Sequence, residues 1–193
     1  MDRQEFSRQL NELQNQIFYA ILSYDMYIAL WPTEDIVHTI NLYKGFFLPV
    51  SSALHQAMFM GFSRIFDTDN RTMSLMNLLR IAKTNQLEFT PNITVQELED
   101  MTSQLLRHND VLTKIKVLRD QKLAHLDANL QPTSPTTKAE ISNLIEIICE
   151  IFNKLSIGHD RSQYAWEFQR KDSKTAAGEV IRILQENAKK PRE

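Results

Sequence analysis

Residue types that can bind a phosphate and move a proton are grouped in one segment of the chain, Leu118–Asp127. The segment contains Arg119, Lys122 and His125, and Asp120 directly follows the arginine. A guanidinium binds oxyanions through a planar fork of donors, and an imidazole exchanges a proton near neutral pH. This segment is therefore the first place in the sequence to look for chemistry.

Arg119 also interrupts the apolar pattern of its own helix. At about 100° per residue it falls in the middle of an apolar stripe, His108 joins that stripe, and Lys122 lies beside it. The stripe consists of Met101, Leu105, Leu112, Ile115 and Leu126. A buried guanidinium is unfavourable unless it is paired or opens onto a cleft. The pattern leaves three alternatives: an arginine that reaches water from the edge of the surface, a salt bridge to a partner helix, or a charge that faces a cleft.

Other kinds of site have little support in the sequence. The five histidines are scattered, and no two have the three- or four-residue helical spacing of paired metal ligands. The single cysteine excludes an internal disulfide and multi-cysteine zinc sites. With only four glycines, the chain contains neither a P-loop nor a dinucleotide-binding fingerprint. We therefore predict no metal and no cofactor.

Apolar residues recur in steps of three and four along most of the chain, which predicts helices. The first three predicted helices run from Phe6 to Trp31, from Ile36 to Ile65 with a kink at Pro49, and from Leu75 to Ala82. Capping boxes at Thr94 and Thr137 open two more, the first running to about Leu126 and the second ending at Gly158 as a C-cap. A short extended segment is predicted where aromatic residues alternate at Tyr164–Phe168, before a last helix from Thr175 to Ala188.

These elements predict an all-α helical bundle of four to six helices. The 193 residues fit a single domain covering residues 1–193, with a core at about 5–160 and a C-terminal helix and tail at 161–193. The N-terminus lacks an apolar signal region, and the uncharged run Phe46–Phe62 is too short to span a bilayer comfortably, so we expect a cytoplasmic protein without membrane association. Because the formal net charge is −2, a nucleic-acid substrate requires a local basic patch.

Several blocks of the sequence resemble the HEPN superfamily (higher eukaryote and prokaryote nucleotide-binding), and within it the abortive-infection AbiU-type branch. The HEPN signature is an arginine, a polar residue and a histidine after four to six positions, which Arg119, Asp120 and His125 match with five intervening residues. The resemblance to the AbiU-type branch, which covers roughly residues 10 to 160, adds Phe62-Ser63-Arg64-Ile65-Phe66-Asp67, Ser74-Leu75-Met76-Asn77-Leu78-Leu79 and Ala124-His125-Leu126-Asp127.

The resemblance implies a homodimer in which two copies of the motif face each other in a cleft. Many members of the superfamily are metal-independent ribonucleases that act in phage defence or as toxins, and we expect RNA and an antitoxin as further partners. The resemblance then implies that Arg119 binds the scissile phosphate and that His125 transfers a proton to or from the RNA. Asp120 would orient one of these two catalytic residues.

Two further expectations follow from the resemblance. Lys122, as a substrate-binding residue, would add positive potential together with Lys114 and Lys116. Other members have lost activity, so the alternative function is a non-catalytic HEPN-like helical interaction module or an RNA- or nucleotide-binding module. In that alternative, Arg119 is a structural salt bridge.

The spacing of the motif sets a geometric condition on catalysis. On an ideal helix, residues six positions apart are about 120° apart around the axis and about 9 Å apart along it. Arg119 and His125 therefore converge only if the helix ends or bulges near Ala124, or if a second protomer supplies one of the partners.

Overall fold

The fold is built from helices in the part of the chain that the computed structural model describes, residues 1–30, 33–120 and 134–188. In these ranges nine helices follow one another without a strand: α1 Arg3–Ala29, α2 Glu34–Leu42, α3 Lys44–Ile65, α4 Leu75–Thr84, α5 Gln86–Phe89, α6 Val95–Leu106, α7 Asn109–Leu118, α8 Lys138–Asp160 and α9 Trp166–Ala188. The predicted all-α class is confirmed. The helices outnumber the expected four to six because two long ones are divided and the short α5 is added.

The helix expected from Ile36 to Ile65 with a kink at Pro49 is instead divided into α2 and α3, before the proline. Pro49 lies inside α3, whereas the break is at Tyr43, whose carbonyl accepts hydrogen bonds from the amides of Phe46 and Phe47. A proline lacks an amide hydrogen, and its ring crowds the carbonyl four residues before it. That carbonyl belongs to Gly45, which lies within α3, so Pro49 does not account for the break at Tyr43.

The helix expected from Thr94 to about Leu126 is divided at Arg107 and His108, and its second part ends as an α-helix at Leu118. The amide of His108 donates to the Leu105 carbonyl, three residues back, so the chain tightens between α6 and α7. Histidine, asparagine and aspartate follow one another there, and all three have weak helix propensity.

Both predicted capping boxes are confirmed. Thr94 and Glu97 exchange hydrogen bonds at the start of α6, and Thr137 and Glu140 do the same at the start of α8. The hydrogen bonds from the Thr94 backbone and side chain lower the pKa of Glu97. These local bonds satisfy amides that the helix itself leaves unpaired, which is why the two starts were readable from the sequence.

The predicted glycine C-cap at Gly158 is wrong. Gly158 lies inside α8, and the left-handed residue that ends the helix is Arg161, at φ 66°. A Cβ on Gly158 would lie 2.5 Å from Cδ1 of Ile93, which is too close. The absence of a side chain at Gly158 therefore allows Ile93 to pack against α8. The glycine is needed for packing and not for termination.

The extended segment predicted at Tyr164–Phe168 is also wrong, because α9 begins at Trp166, well before the predicted start at Thr175. Trp166 is buried, whereas Phe168 is 77% exposed. The alternation of aromatic residues therefore reflects opposite faces of a first helical turn. The predicted tail, residues 189–193, lies outside the described residues.

The chain divides into two compact units, the first formed by Met1–Phe18 with Phe59–Tyr164 and the second by Tyr19–Met58 with Ala165–Glu193. In the first unit, α4 packs against α6 and α6 packs against α8. Its core is aliphatic and aromatic, and includes Leu13, Phe62, Leu79, Leu105, Ile148 and Phe152. The prediction of a single domain stays a prediction.

In the second unit, α2 packs against α9. A fully buried carboxylate, Asp25 of α1, accepts two hydrogen bonds from the Arg170 guanidinium, at 2.9 and 3.0 Å, and Nζ of Lys174 lies 3.3 Å from it. A buried charge needs such partners to offset its lost hydration. Among the described residues, no helix combines the length and apolar character needed to cross a membrane.

Candidate functional site

Arg119 lies at the end of α7 in the first unit, one turn after the buried Ile115. Its side chain is 24% exposed, so the predicted position on the inner face of the helix is confirmed. At Arg119 and Asp120 the backbone widens from an α-helix to a π-helical turn. Among the described residues of this segment, regular α-helical geometry therefore ends at Leu118.

Three groups among the described residues hold the Arg119 guanidinium. Its Nε donates to the Asp120 carboxylate at 2.6 Å, and its Nη1 donates to the Ser63 hydroxyl at 2.8 Å. The Asp67 carboxylate lies 4.0 Å from the same Nη1. The end of α3 and the end of α7 thus fix the fork together, and the predicted pairing of Arg119 with Asp120 is present.

The loop that carries Asp67 is held by its own hydrogen bonds. One carboxylate oxygen of Asp67 accepts from the amide of Asp69 at 2.9 Å, and the Ser74 hydroxyl donates to the Asp67 carbonyl at 2.6 Å. The buried Asn77 amide donates to the carbonyls of Asp69 and Thr72, at 2.6 and 2.9 Å. Ser74 is also the N-cap of α4, so one compact network orients both the loop and the helix that follows it.

Arg119 lines a cleft of about 300 Å³, which we call the Arg119 cleft. Its polar lining includes Ser63, Asp67, Thr113, Lys116 and Arg119, and its apolar lining includes Phe66, Leu112 and Ile115. The lining cations are Lys116 and Arg119 and the lining carboxylate is that of Asp67, while Asp120, which pairs with Arg119, does not line the cleft. A chain with a net negative charge therefore carries a local site suited to an anion.

Of the nearby lysines, Lys116 lines the Arg119 cleft but Lys114 does not. Nζ of Lys114 lies 2.7 Å from the Glu140 carboxylate of α8, and this hydrogen bond, together with one from the Thr137 backbone, lowers the pKa of Glu140 to about 2. Lys114 is therefore paired with a carboxylate of α8 and lies outside the lining of the Arg119 cleft.

Lys122 and His125 lie outside the described residues, so their predicted roles stay predictions. His108 is half-buried at the junction of α6 and α7 and is not among the residues that line the Arg119 cleft. In the ranges that the structure describes, no three His, Cys, Asp or Glu side chains are grouped as a metal site requires.

Ser63 and Asp67 were not predicted as site residues, although both lie in the Phe62–Asp67 block that carried the family resemblance. Ser63 lies in the last turn of α3, and Asp67 lies in the loop that follows the helix. Nothing in the local sequence indicated that either side chain faces Arg119.

A family model described as AbiU2, of HEPN type, matches residues 3–180, which include α1, the block around Ser63, the Arg119 segment and much of α9. No curated protein and no solved structure matches significantly. Since the model covers almost the whole chain, the protein belongs to the AbiU2 family of HEPN proteins, the abortive-infection branch of that superfamily.

Proposed function

We propose that the protein is a metal-independent ribonuclease of the abortive-infection type, with Arg119 and His125 as its catalytic residues. One observation carries the proposal: Arg119 is half-buried and oriented by the Asp120 carboxylate and the Ser63 hydroxyl, yet it lines an open cleft. A fork held in place in this way can bind a phosphate without first being ordered, which favours stabilisation of the transition state.

The proposed reaction is a transesterification within the RNA. The ribose 2′-oxygen attacks the phosphorus, the bond from phosphorus to the 5′-oxygen breaks, and a 2′,3′-cyclic phosphate and a 5′-hydroxyl result. His125 removes the proton of the 2′-hydroxyl or supplies one to the leaving oxygen. Arg119 stabilises the charge that develops on the phosphate oxygens, Lys116 adds to the positive potential, and Lys122 binds the substrate.

The proposed active unit is a homodimer, because two facing motifs would bring Arg119 and His125 together without requiring both from one helix. Large exposed apolar side chains support self-association. In the second unit they include Phe46, Leu48, Phe168 and Val180, which are 50–77% exposed, and exposed apolar side chains are often covered by a partner where they form a contiguous patch. Light scattering should give the mass of a dimer, and a strictly monomeric protein at tens of micromolar would exclude the composite site.

A second candidate function is a non-catalytic binding module, and the contacts of Arg119 with Asp120, Ser63 and Asp67 favour it. In this case the guanidinium is a structural group whose charge is already satisfied. The two functions differ in what removal of Arg119 does, because a structural group is needed for stability and a catalytic group for turnover.

The test is cleavage of labelled single-stranded RNA by the purified protein in the presence of a chelator. His125→Ala should slow cleavage by about 10²- to 10⁴-fold, the usual contribution of general acid–base catalysis. His38→Ala is the matched control, since His38 is exposed on α2 and lines no part of the Arg119 cleft. Equal cleavage by wild type and His125→Ala would contradict the nuclease and leave the binding module.

The biological role has its own test. Expression of the wild-type protein in a bacterial host should arrest growth or reduce phage yield, and His125→Ala should do neither. If an antitoxin restrains the protein, its co-expression should restore growth. Growth arrest by both the wild-type protein and His125→Ala would show that toxicity does not depend on RNA cleavage.

A further inference from the structure

A second cleft, which we call the Arg80 cleft, opens beside the Arg119 cleft in the first unit. It has a volume of about 490 Å³ and is lined by residues of α4, α6 and the loop before α4. Thr68 and Met76 line both clefts, so the two share a wall. A chain-like ligand bound in one cleft can therefore continue into the other.

The face of α4 that borders the Arg80 cleft is cationic. Met76, Arg80 and Lys83 follow one another by four and three residues, so they share one side of the helix and all three line the cleft. The opposite side of α4 is buried in the core through Leu75, Leu78, Leu79 and Ala82. The core thus fixes the rotation of α4, and with it the direction of the two cations.

The two cations differ in whether their charge is neutralised. Nζ of Lys83 lies 2.6 Å from the carboxylate of Glu99. The exposed Arg80 side chain makes no ion pair or hydrogen bond with any residue that the structure describes. Arg80 therefore supplies the uncompensated positive charge of this cleft.

The remaining lining of the Arg80 cleft suits a nucleotide. Asn70, Thr102 and Ser103 provide uncharged donors and acceptors for sugar hydroxyls or base edges. Met76, in the shared wall, offers an adaptable apolar surface on which a base can lie. The volume is within the range of small-ligand sites.

Resting on the function proposed above, we propose that the Arg80 cleft binds a nucleotide flanking the scissile phosphodiester of a single-stranded RNA. Arg80 contacts the phosphate of that nucleotide, while Arg119 contacts the scissile phosphate. Two separate phosphate contacts on one strand explain why an open, polar and cationic cleft adjoins the Arg119 cleft.

The test measures binding of an uncleavable probe, a single-stranded octanucleotide of 2′-O-methyl RNA, by fluorescence anisotropy over a series of salt concentrations. Each phosphate contact on a single strand contributes about 0.7 to the slope of log affinity against log salt, which corresponds to about eightfold in affinity at 50 mM relative to 1 M. Arg80→Ala and Arg119→Gln should each reduce the slope by about 0.7, and the double variant by about 1.4. Arg8→Ala, an exposed cation that lines neither cleft, should leave affinity and slope unchanged.

The outcomes separate the two proposals. If Arg80→Ala binds like Arg8→Ala while Arg119→Gln is weakened, the flanking site is wrong and the Arg119 site stands. If the double variant loses only about 0.7, both arginines contact one phosphate and no separate subsite exists. If the wild-type protein binds the probe but does not cleave unmodified RNA, the nuclease fails and the Arg80 result still decides the flanking site. No binding by the wild-type protein contradicts both.

Discussion

Two arginines, one in each unit, show how different the surroundings of a half-buried guanidinium can be. Arg170 directs Nε and Nη2 at the single carboxylate of Asp25, which is fully buried, and Lys174 adds a second cation there. Arg119 divides its donors between the Ser63 hydroxyl and the Asp120 carboxylate, which is 47% exposed. The side chains of the two arginines are almost equally exposed, 22% for Arg170 and 24% for Arg119.

The difference lies in the partners and not in the arginines. Water cannot reach a buried carboxylate to replace its cation. Separating Arg170 from Asp25 would therefore leave an unpaired buried charge, at a large cost in free energy. An exposed carboxylate and a hydroxyl are rehydrated or re-paired when a phosphate approaches, so Arg119 can exchange its contacts for a ligand at lower cost. The exposed fraction of an arginine side chain therefore does not by itself distinguish a structural arginine from a functional one.

For the comparison of the two arginines, the largest expected effect concerns Arg119 as a phosphate ligand. Arg119→Lys keeps the charge but loses the planar fork, so RNA cleavage should fall by about 10²- to 10³-fold with little change in melting temperature. Arg8→Lys, at an exposed position outside the cleft, is the control. Full activity of Arg119→Lys would show that position 119 needs only a positive charge. It would then weaken the distinction between Arg119 as a functional arginine and Arg170 as a structural one.

The comparison also predicts unequal losses of stability. Arg170→Ala leaves Asp25 buried with only Lys174 nearby and should lower the free energy of unfolding by about 3 kcal/mol, or about 6–12 °C in melting temperature. Arg119→Ala should cost about 1 kcal/mol, or about 2–4 °C. Differential scanning calorimetry measures both.

Replacing both members of the buried pair refines this result. The double variant Asp25→Leu with Arg170→Met should recover much of the stability, because an apolar pair has no charge to desolvate. Equal losses for Arg119→Ala and Arg170→Ala would place Arg119 among the structural arginines.

A smaller effect is expected at Ser63, which positions the guanidinium. Ser63→Ala removes the acceptor of Nη1 and should reduce kcat by about tenfold, since a hydrogen bond to a charged group contributes roughly 1.5 kcal/mol. The pH dependence of kcat should keep its position, because Ser63 does not titrate. Ser52→Ala, on an exposed turn of α3, is the control. An unchanged kcat would show that Asp120 alone orients Arg119.

The smallest effect is expected at Lys114, which pairs with Glu140 away from the cleft. The pKa of Glu140 is lowered from 4.5 to about 2, so its charged form stabilises the fold above about pH 4.5. That contribution is lost as the pH falls towards 2. In Lys114→Met, NMR titration should show a higher pKa for Glu140, while RNA cleavage and its KM at pH 7 should not change. A tenfold rise in KM would show instead that Lys114 contributes to substrate binding.

Local sequence information predicted much of the fold. Each helix start with a capping box at Thr94 or Thr137 was found, as were the all-α class and the inward side of Arg119. Caps and helical periodicity involve residues three or four positions apart, so they are readable before any packing is known. The Arg119–Asp120 pair belongs to the same class of information.

The features that local patterns missed depend on distant parts of the chain. Gly158 looked like a terminator, but it is required by Ile93, which packs on it from another element. The sequence predicted one helix with a kink at Pro49, whereas the helix is divided at Tyr43, six residues earlier. Arg170, in a region predicted to be extended or loop, was not noticed at all.

By itself, the sequence determined the helices, their capped starts, the family and the presence of an arginine on an inward face. Only the tertiary structure decided what each arginine meets. Ser63 is 56 residues from Arg119 in the chain, and Asp25 is 145 residues from Arg170. Helical periodicity is a local property, whereas these contacts depend on how complete helices pack against one another. Packing brought a hydroxyl and an open cleft to one guanidinium and a buried carboxylate to the other.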